Sequence, residues 1–315
     1  MSKAEEALNP NFPVEASAPP PPSYSDFTSQ NGFAYYPKVE ELPSYFAFDS
    51  VPDTYILTPQ TCPSWQPSNV KFERENDGDI KSFDKSLDYS KEELWKFFLT
   101  HLNPPRVFIA ARGYHHETRH HTVYTKDADG RTHSSVRTET ITVEDFNFSI
   151  DISSFVQKQW SALVVVPEKD GSYRVFSEVL DSYASSENKL KQIILRKQLD
   201  WDVQGAINMV YNVIRMTGYN HEVSVTMKLG ADKIKVYSSS AISSLANNTC
   251  VRVMCFLTCL WIIFMPTYLI ARKNIDNKIV CKFQMVISVE ELYRRNYHVI
   301  YATVVSRSKN RLWQG

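Results

Sequence analysis

The sequence predicts an α+β fold: a hairpin-rich mixed sheet with helices, a disordered proline-rich N-terminal tail and a membrane-embedded helix near the C-terminus. Three observations support this prediction. The strand-like runs are separated by short turns, whereas the strands of a parallel sheet need long crossovers. Proline, serine and acidic residues dominate the start of the chain, a composition that rarely folds. One apolar run near the C-terminus contains 19 residues without a charge.

The predicted tail, residues 1–85, contains two motifs typical of WW-domain ligands. Pro21-Pro22-Ser23-Tyr24 is a PPxY sequence, and Leu42-Pro43-Ser44-Tyr45 is an LPxY sequence of the related, looser type. Polyproline II is preorganised, so the prolines dock in an aromatic groove at a small entropy cost while the tyrosine fills a second pocket. A plain disordered tail is the alternative. The predicted partner-binding residues are Pro21, Pro22, Tyr24, Leu42, Pro43 and Tyr45.

The α+β domain is predicted over residues 86–248. Ser90-Lys91-Glu92-Glu93 has the spacing of a capping box and opens a short amphipathic helix. Residues 106–153 are rich in Thr, Val, Tyr and Ile, and they predict a long hairpin that turns within residues 127–130. A helix that ends near Gly218 and a second hairpin over residues 221–238 follow.

The predicted membrane segment, residues 249–272, has an apolar centre at residues 253–271. As a single helix this centre would span about 28 Å, close to the hydrocarbon thickness of a bilayer. Arg252 flanks it on one side, and Arg272 and Lys273 on the other, where they would meet anionic lipid headgroups. We therefore predict a single-pass protein of the endomembrane system, with membrane lipids as partners.

The charges around this segment leave a second arrangement open. Nearby basic residues number one before it and four after it, and the positive-inside rule would place the N-terminal part away from cytosolic WW domains. The alternative is a shallow re-entrant hairpin, bent near Pro266, with both ends on one side. The basic tail, residues 273–315, contains a predicted strand and a helix that opens with the capping box Ser288-Val289-Glu290-Glu291. These two elements favour the re-entrant form, because they are too small for a core of their own.

Histidines cluster on the first predicted hairpin, at His115, His116, His120 and His121, with His133 across the turn. The predicted pairing puts His133 opposite Tyr124 and His120 opposite Arg137, a poor neighbour for a bound cation. A metal site needs convergent ligands with carboxylate or thiol support, and Glu117 is the one carboxylate in the cluster. We therefore predict exposed polar side chains and no metal site.

No catalytic motif is found. The chain has only 9 glycines in 315 residues and lacks GxGxxG and GxxxxGK[ST], so nucleotide chemistry is not predicted. Five scattered cysteines contain no CxxC pair. Cys250, Cys255 and Cys259 are interpreted as small apolar residues rather than S-acylation sites. No cofactor, enzymatic activity or nucleic-acid binding is predicted, because the basic C-terminal part suits lipid headgroups better.

The stretches RGYHHETRHHT, RTETITVEDFNFSIDIS and RVMCFLTCLWIIFMP together resemble a family of uncharacterised fungal membrane proteins with a proline-rich start and one apolar segment near the C-terminus. The resemblance covers roughly residues 100–290. It implies a fungal membrane protein and transfers no activity or site residue.

Two functions follow from these observations. The first is a membrane-anchored interaction protein, an adaptor or client of a WW-domain ubiquitin ligase that binds through the PPxY motif. The alternative is a membrane-associated lipid-handling or enzymatic α+β domain, with its site assembled around the hairpins and Trp160 or Trp201. An extended apolar pocket would favour this alternative. The sequence identifies no small-molecule ligand.

Overall fold

A computed structural model of the protein describes residues 47–126, 132–168, 170–271 and 279–315. The strands within these residues are β1 (Glu73–Arg74), β2 (Ile80–Ser82), β3 (Arg106–Lys126), β4 (Thr132–Asp151), β5 (Ala162–Val165), β6 (Gln192–Asp200), β7 (Glu222–Gly230), β8 (Lys233–Tyr237), β9 (Ile279–Gln284) and β10 (Arg311–Gln314). The α-helices are α1 (Ser86–Tyr89), α2 (Lys91–Thr100), α3 (Phe176–Ala184), α4 (Val203–Met216), α5 (Ala241–Asn247), α6 (Thr249–Leu257), α7 (Trp261–Ala271) and α8 (Val289–Val305).

These elements form an α+β structure with two mixed sheets. The six-stranded sheet has the order β1-β2-β8-β6-β9-β5, and the four-stranded sheet has the order β10-β4-β3-β7. One hydrophobic core contains side chains of both sheets and of α2, α3, α4 and α8. Helices α4 and α8 pack on each other and bury Ile207, Val210, Leu292 and Ile300 completely. Each such side chain contributes roughly 1.5–3 kcal/mol relative to an exposed one.

The two predicted capping boxes begin helices where the sequence places them. Ser90 Oγ accepts from the Glu93 amide at 3.2 Å at the start of α2, and Ser288 Oγ accepts from the Glu291 amide at 3.1 Å at the start of α8. Helix α4 ends at Met216, and Gly218 follows with φ +82°, a left-handed conformation that glycine adopts without strain. These helix boundaries are confirmed.

The first predicted hairpin is confirmed, but its pairing differs by one residue. Strands β3 and β4 pair antiparallel with Lys126 opposite Thr132, so His120 faces Thr138 and Arg137 faces His121. The predicted pairing assumed an even number of residues in the turn, whereas the structure leaves residues 127–131 between the last pair. Strand β7 pairs with β3 only up to Tyr114. Residues 115–126 and 132–143 therefore form a two-stranded arm.

The second predicted hairpin is wrong. Strand β7 belongs to the four-stranded sheet and β8 to the six-stranded sheet, so the chain crosses between sheets at residues 231–232. Ala231 has φ +56°, and its amide donates to the Asp77 carbonyl at 2.9 Å. Lys197 Nζ donates to the Ala231 carbonyl at 2.8 Å. The connection between β7 and β8 is therefore stabilised by contacts with other elements and not by a local turn.

The structure also differs from the predicted limits of the tail and the main domain. Residues 1–46 lie outside the described residues, but part of the predicted tail is folded: β1 and β2 extend the six-stranded sheet, and Ile80 is buried. Strand β9 lies between β6 and β5 in the same sheet, and β10 pairs with β4. Residues 279–315 are therefore an integral part of the domain, because their strands complete both of its sheets.

The predicted membrane-embedded helix and the single-pass localisation are wrong. None of the helices among the described residues is both long and apolar enough to cross a bilayer. The apolar stretch is divided between α6 and α7, because Cys259 adopts a left-handed conformation with φ +57°. Both of its ends also return to one domain: β8 precedes it and β9 follows it in the same sheet.

Candidate functional site

The predicted partner-binding residues, Pro21 to Tyr45, lie outside the described residues, as do Arg272 and Lys273. Arg252 is described, and its guanidinium is occupied within the protein. Its Nε donates to the Ala246 carbonyl at 3.0 Å and a terminal nitrogen donates to Asn247 Oδ1 at 2.9 Å. Both acceptors lie at the C-terminal end of α5, where a cation satisfies carbonyl groups that the helix leaves free.

A buried carboxylate, Asp145, lies at the base of the arm. Its side chain is only 3% exposed. The strand register shifts here, since Gly113 faces Phe146 while Tyr114 faces Glu144. Asp145 is thus the extra residue of a β-bulge, a device that redirects a side chain without ending the strand.

Three donors surround this carboxylate. Oδ2 lies 2.8 Å from His115 Nδ1 and accepts from the Tyr219 hydroxyl at 2.7 Å, and Arg307 approaches Oδ1 at 3.5 Å. Burial alone would raise the pKa of Asp145, but the hydrogen bonds from Tyr219 and His115 outweigh it and lower the pKa. The ionised carboxylate thereby joins the arm, the start of β7 and the segment after α8.

His115 has a carboxylate beside each of its ring nitrogens, an arrangement that favours the protonated imidazole. Nδ1 faces Asp145, and Nε2 lies 3.3 Å from Glu117 Oε1. The hydrogen bonds to Asp145 and Glu117 raise the pKa of His115. An imidazole that donates from both nitrogens offers no lone pair to a proton, a metal or a substrate. The arrangement therefore suits an electrostatic clamp better than a general base or a metal ligand.

The remaining histidines of the cluster do not converge. His116 lies 3.2 Å from the Thr142 hydroxyl, His120 lies 3.1 Å from the Thr138 hydroxyl, and His121 lies 4.0 Å from Glu139. The His133 side chain is outside the described part of the structure.

An acidic cluster outside the histidines has ligand atoms close enough for a metal. The carboxylates of Glu75, Asp77 and Asp79 lie within 4.8 Å of one another. Lys235 Nζ, however, lies 2.5 Å from Glu75 and 2.8 Å from Asp79. Burial lowers the pKa of Lys235, but these carboxylates outweigh it and raise the pKa. An internal ammonium group thus offsets part of the negative charge, and the cluster joins β1, β2 and β8.

A groove lies on the outer face of the four-stranded sheet. It has a volume of about 680 Å³. Its floor is formed by small residues, because Ala110 of β3 lies opposite Ser149 of β4 and Thr226 of β7. Arg112 and Lys228 also line it. We call this surface the cationic groove.

Sequence reasoning missed both Asp145 and the cationic groove. The sequence signal for Asp145 is local. Apolar residues occupy even-numbered positions from Phe146 onward, and hydroxyl residues occupy even-numbered positions before Glu144. In the structure these two sets lie on opposite faces of the sheet, which requires one extra residue between them. Comparison with known proteins found no matching family model, curated protein or solved structure. The resemblance to a fungal family stays a prediction.

Proposed function

We propose that the protein is an interaction protein, an adaptor or client of a ubiquitin ligase that binds it through WW domains. The observation that carries this proposal is the pair of motifs at residues 21–24 and 42–45. The second motif ends three residues before Phe48, which is buried against Val164 and Val280. A WW domain on this motif would therefore lie next to the folded domain, where further contacts are within reach.

The spacing of the motifs suits a partner with two WW domains. Residues 25–41 separate them and, fully extended, reach at most about 60 Å. Once one motif is bound, the other is held at a high local concentration, which raises affinity without any new contact. The proposal therefore predicts tighter binding to tandem WW domains than to either domain alone.

No observation on the described residues favours the lipid-handling or enzymatic alternative. The groove beside Trp201 is lined by charged residues, among them Asp200, Asp202 and Lys282. The Trp201 indole donates to the Ile287 carbonyl at 2.8 Å, and Trp160 packs on the core. His115 has a carboxylate at each of its ring nitrogens, which leaves neither nitrogen open to a substrate.

The test uses the full-length protein and a tandem pair of WW domains in a titration followed by fluorescence anisotropy. Tyr24→Ala should weaken binding strongly, and Tyr24→Ala with Tyr45→Ala should abolish it, because the tyrosine pocket is emptied. Tyr36→Ala is the matched control, since Tyr36 lies between the motifs and belongs to neither. Undiminished binding by the double variant would refute the proposal.

A ubiquitylation assay with a WW-domain ligase separates the two roles. Modification of this chain's own lysines that depends on Tyr24 and Tyr45 identifies a client. Modification of a third protein that depends on the same tyrosines identifies an adaptor. If neither modification depends on Tyr24 and Tyr45, the involvement of a ligase is refuted, even if WW binding itself is observed.

A further inference from the structure

The cationic groove carries positive side chains that form no salt bridge within the described part of the chain. Arg112, Lys228 and Arg311 line it. Among the described residues, no carboxylate oxygen lies within 4.0 Å of their charged nitrogens. The Arg112 guanidinium instead lies over the Tyr114 ring at 4.8 Å. Lysines elsewhere in the fold, such as Lys235 and Lys282, are paired with carboxylates. Arg112 and Lys228 have side chains on the outer face of the sheet, whereas Arg311 lies opposite the core residue Phe148, so the first two cations are the ones that face a ligand in the groove.

The register of the sheet sets the spacing of two of these cations. Arg112 lies opposite Ser224 on β7, and Lys228 lies four residues further along the same strand. Four residues of strand correspond to about 13 Å. Between these positions the floor presents the hydroxyls of Ser149, Ser224 and Thr226, which can donate to or accept from a peptide main chain.

We propose that the cationic groove binds an acidic peptide segment of a partner protein in extended conformation, with two carboxylates or phosphates about four residues apart. The two acidic groups of the peptide pair with Arg112 and Lys228, which lie on the outer face of the sheet. The positive charges favour an anionic ligand, and an extended peptide is the ligand whose residues four apart lie at the same spacing of about 13 Å. This inference is independent of WW binding, which uses residues 21–45.

The binding assay uses the full-length protein and a fluorescent nine-residue Gly/Ser peptide with two glutamates four residues apart. Exposed ion pairs are weak, so Arg112→Gln and Lys228→Gln should each weaken binding about threefold, and together about tenfold. Higher salt should weaken binding further. Lys158→Gln is the control, because Lys158 is an exposed cation that does not line the groove. Unchanged melting temperatures establish that the variants are folded.

Four outcomes would overturn the proposal. Equal affinity for a peptide with two lysines would remove the argument from charge, and unchanged binding by the double variant would remove the site. Complete competition by inorganic phosphate at the peptide's concentration would indicate a free anion site. Residues 1–46 contain six acidic and two basic residues. If the peptide binds only after Glu40→Gln with Glu41→Gln, the occupant is this chain's own segment and not a partner.

Discussion

Replacing His101 by glutamine should make the free energy of unfolding less sensitive to acid. His101 ends α2 and is only 6% exposed. Its ring centroid lies 4.5 Å from that of Phe72 and 4.7 Å from that of Phe97, and Nε2 has no hydrogen-bond partner among the described residues. Burial lowers the pKa of His101 from 6.5 to about 4, and the positive charges of Lys197 and Arg74 add to this effect.

The direction of the pH dependence follows from this depressed pKa. The unfolded chain takes up a proton near pH 6.5, whereas the folded chain does so only near pH 4. The stability contributed by the neutral imidazole is therefore present above pH 6.5 and is lost as the pH falls toward 4. Each pH unit within this window costs about 1.4 kcal/mol, so the free energy of unfolding falls by about 3 kcal/mol by pH 4.

Urea unfolding at pH 7 and pH 4 measures this contribution. The wild-type protein should lose about 3 kcal/mol more between the two pH values than His101→Gln does. His298→Gln is the control, because His298 is exposed on α8, and it should behave like the wild type. Equal losses in all three proteins would refute the reasoning, as would a His101 titration midpoint near 6.5 in an NMR experiment.

Two substitutions and one deletion test the polar contacts. Asp145→Asn should lower the free energy of unfolding by roughly 2–4 kcal/mol in a denaturant titration, because a buried acceptor loses its charge. An unchanged pKa of His115 in this variant would contradict the pairing. Deleting Asp145 should lower the free energy of unfolding more than replacing it, because removal of the bulge residue would move the side chains of the β4 part of the arm to the opposite face. Unchanged hydrogen exchange in the arm would contradict this expectation. Lys191 Nζ donates to four main-chain carbonyls at 2.7–3.5 Å. Lys191→Met should therefore cost roughly 2–4 kcal/mol, whereas exposed Lys189→Met should change stability by less than about 0.5 kcal/mol.

The parts of the fold that the sequence predicts correctly depend on neighbouring residues. A serine three positions before a glutamate satisfies a free amide wherever the helix is later packed, so the starts of α2 and α8 are visible at Ser90 and Ser288. The alternating residues of β3 and β4 likewise predict an antiparallel pair. The exact register was missed, because it depends on the number of residues in the turn.

The parts that the sequence misses depend on contacts between distant segments. The Asp145 site needs Tyr219 and Arg307, which the chain brings back only through β7 and the end of α8. The chain leaves β7 for the other sheet because Ala231 bonds to Asp77, and no local pattern encodes this contact. The apolar character of α6 and α7 is visible in the sequence, but the left-handed backbone of Cys259 that separates them is not.

Because of the bulge at Asp145, even-numbered residues of β4 face the core after the bulge and the opposite side of the sheet before it. Phe146, Phe148 and Ile150 face the core, whereas the even-numbered hydroxyl residues before the bulge, Thr138 and Thr142 among them, face the opposite side. In a regular strand, residues of equal parity share a face. The extra residue reverses this relation, so the groove face of the domain continues into the arm as a row of hydroxyls. A ligand longer than the cationic groove would therefore meet the arm next, close to the contacts of Asp145 with His115 and Tyr219.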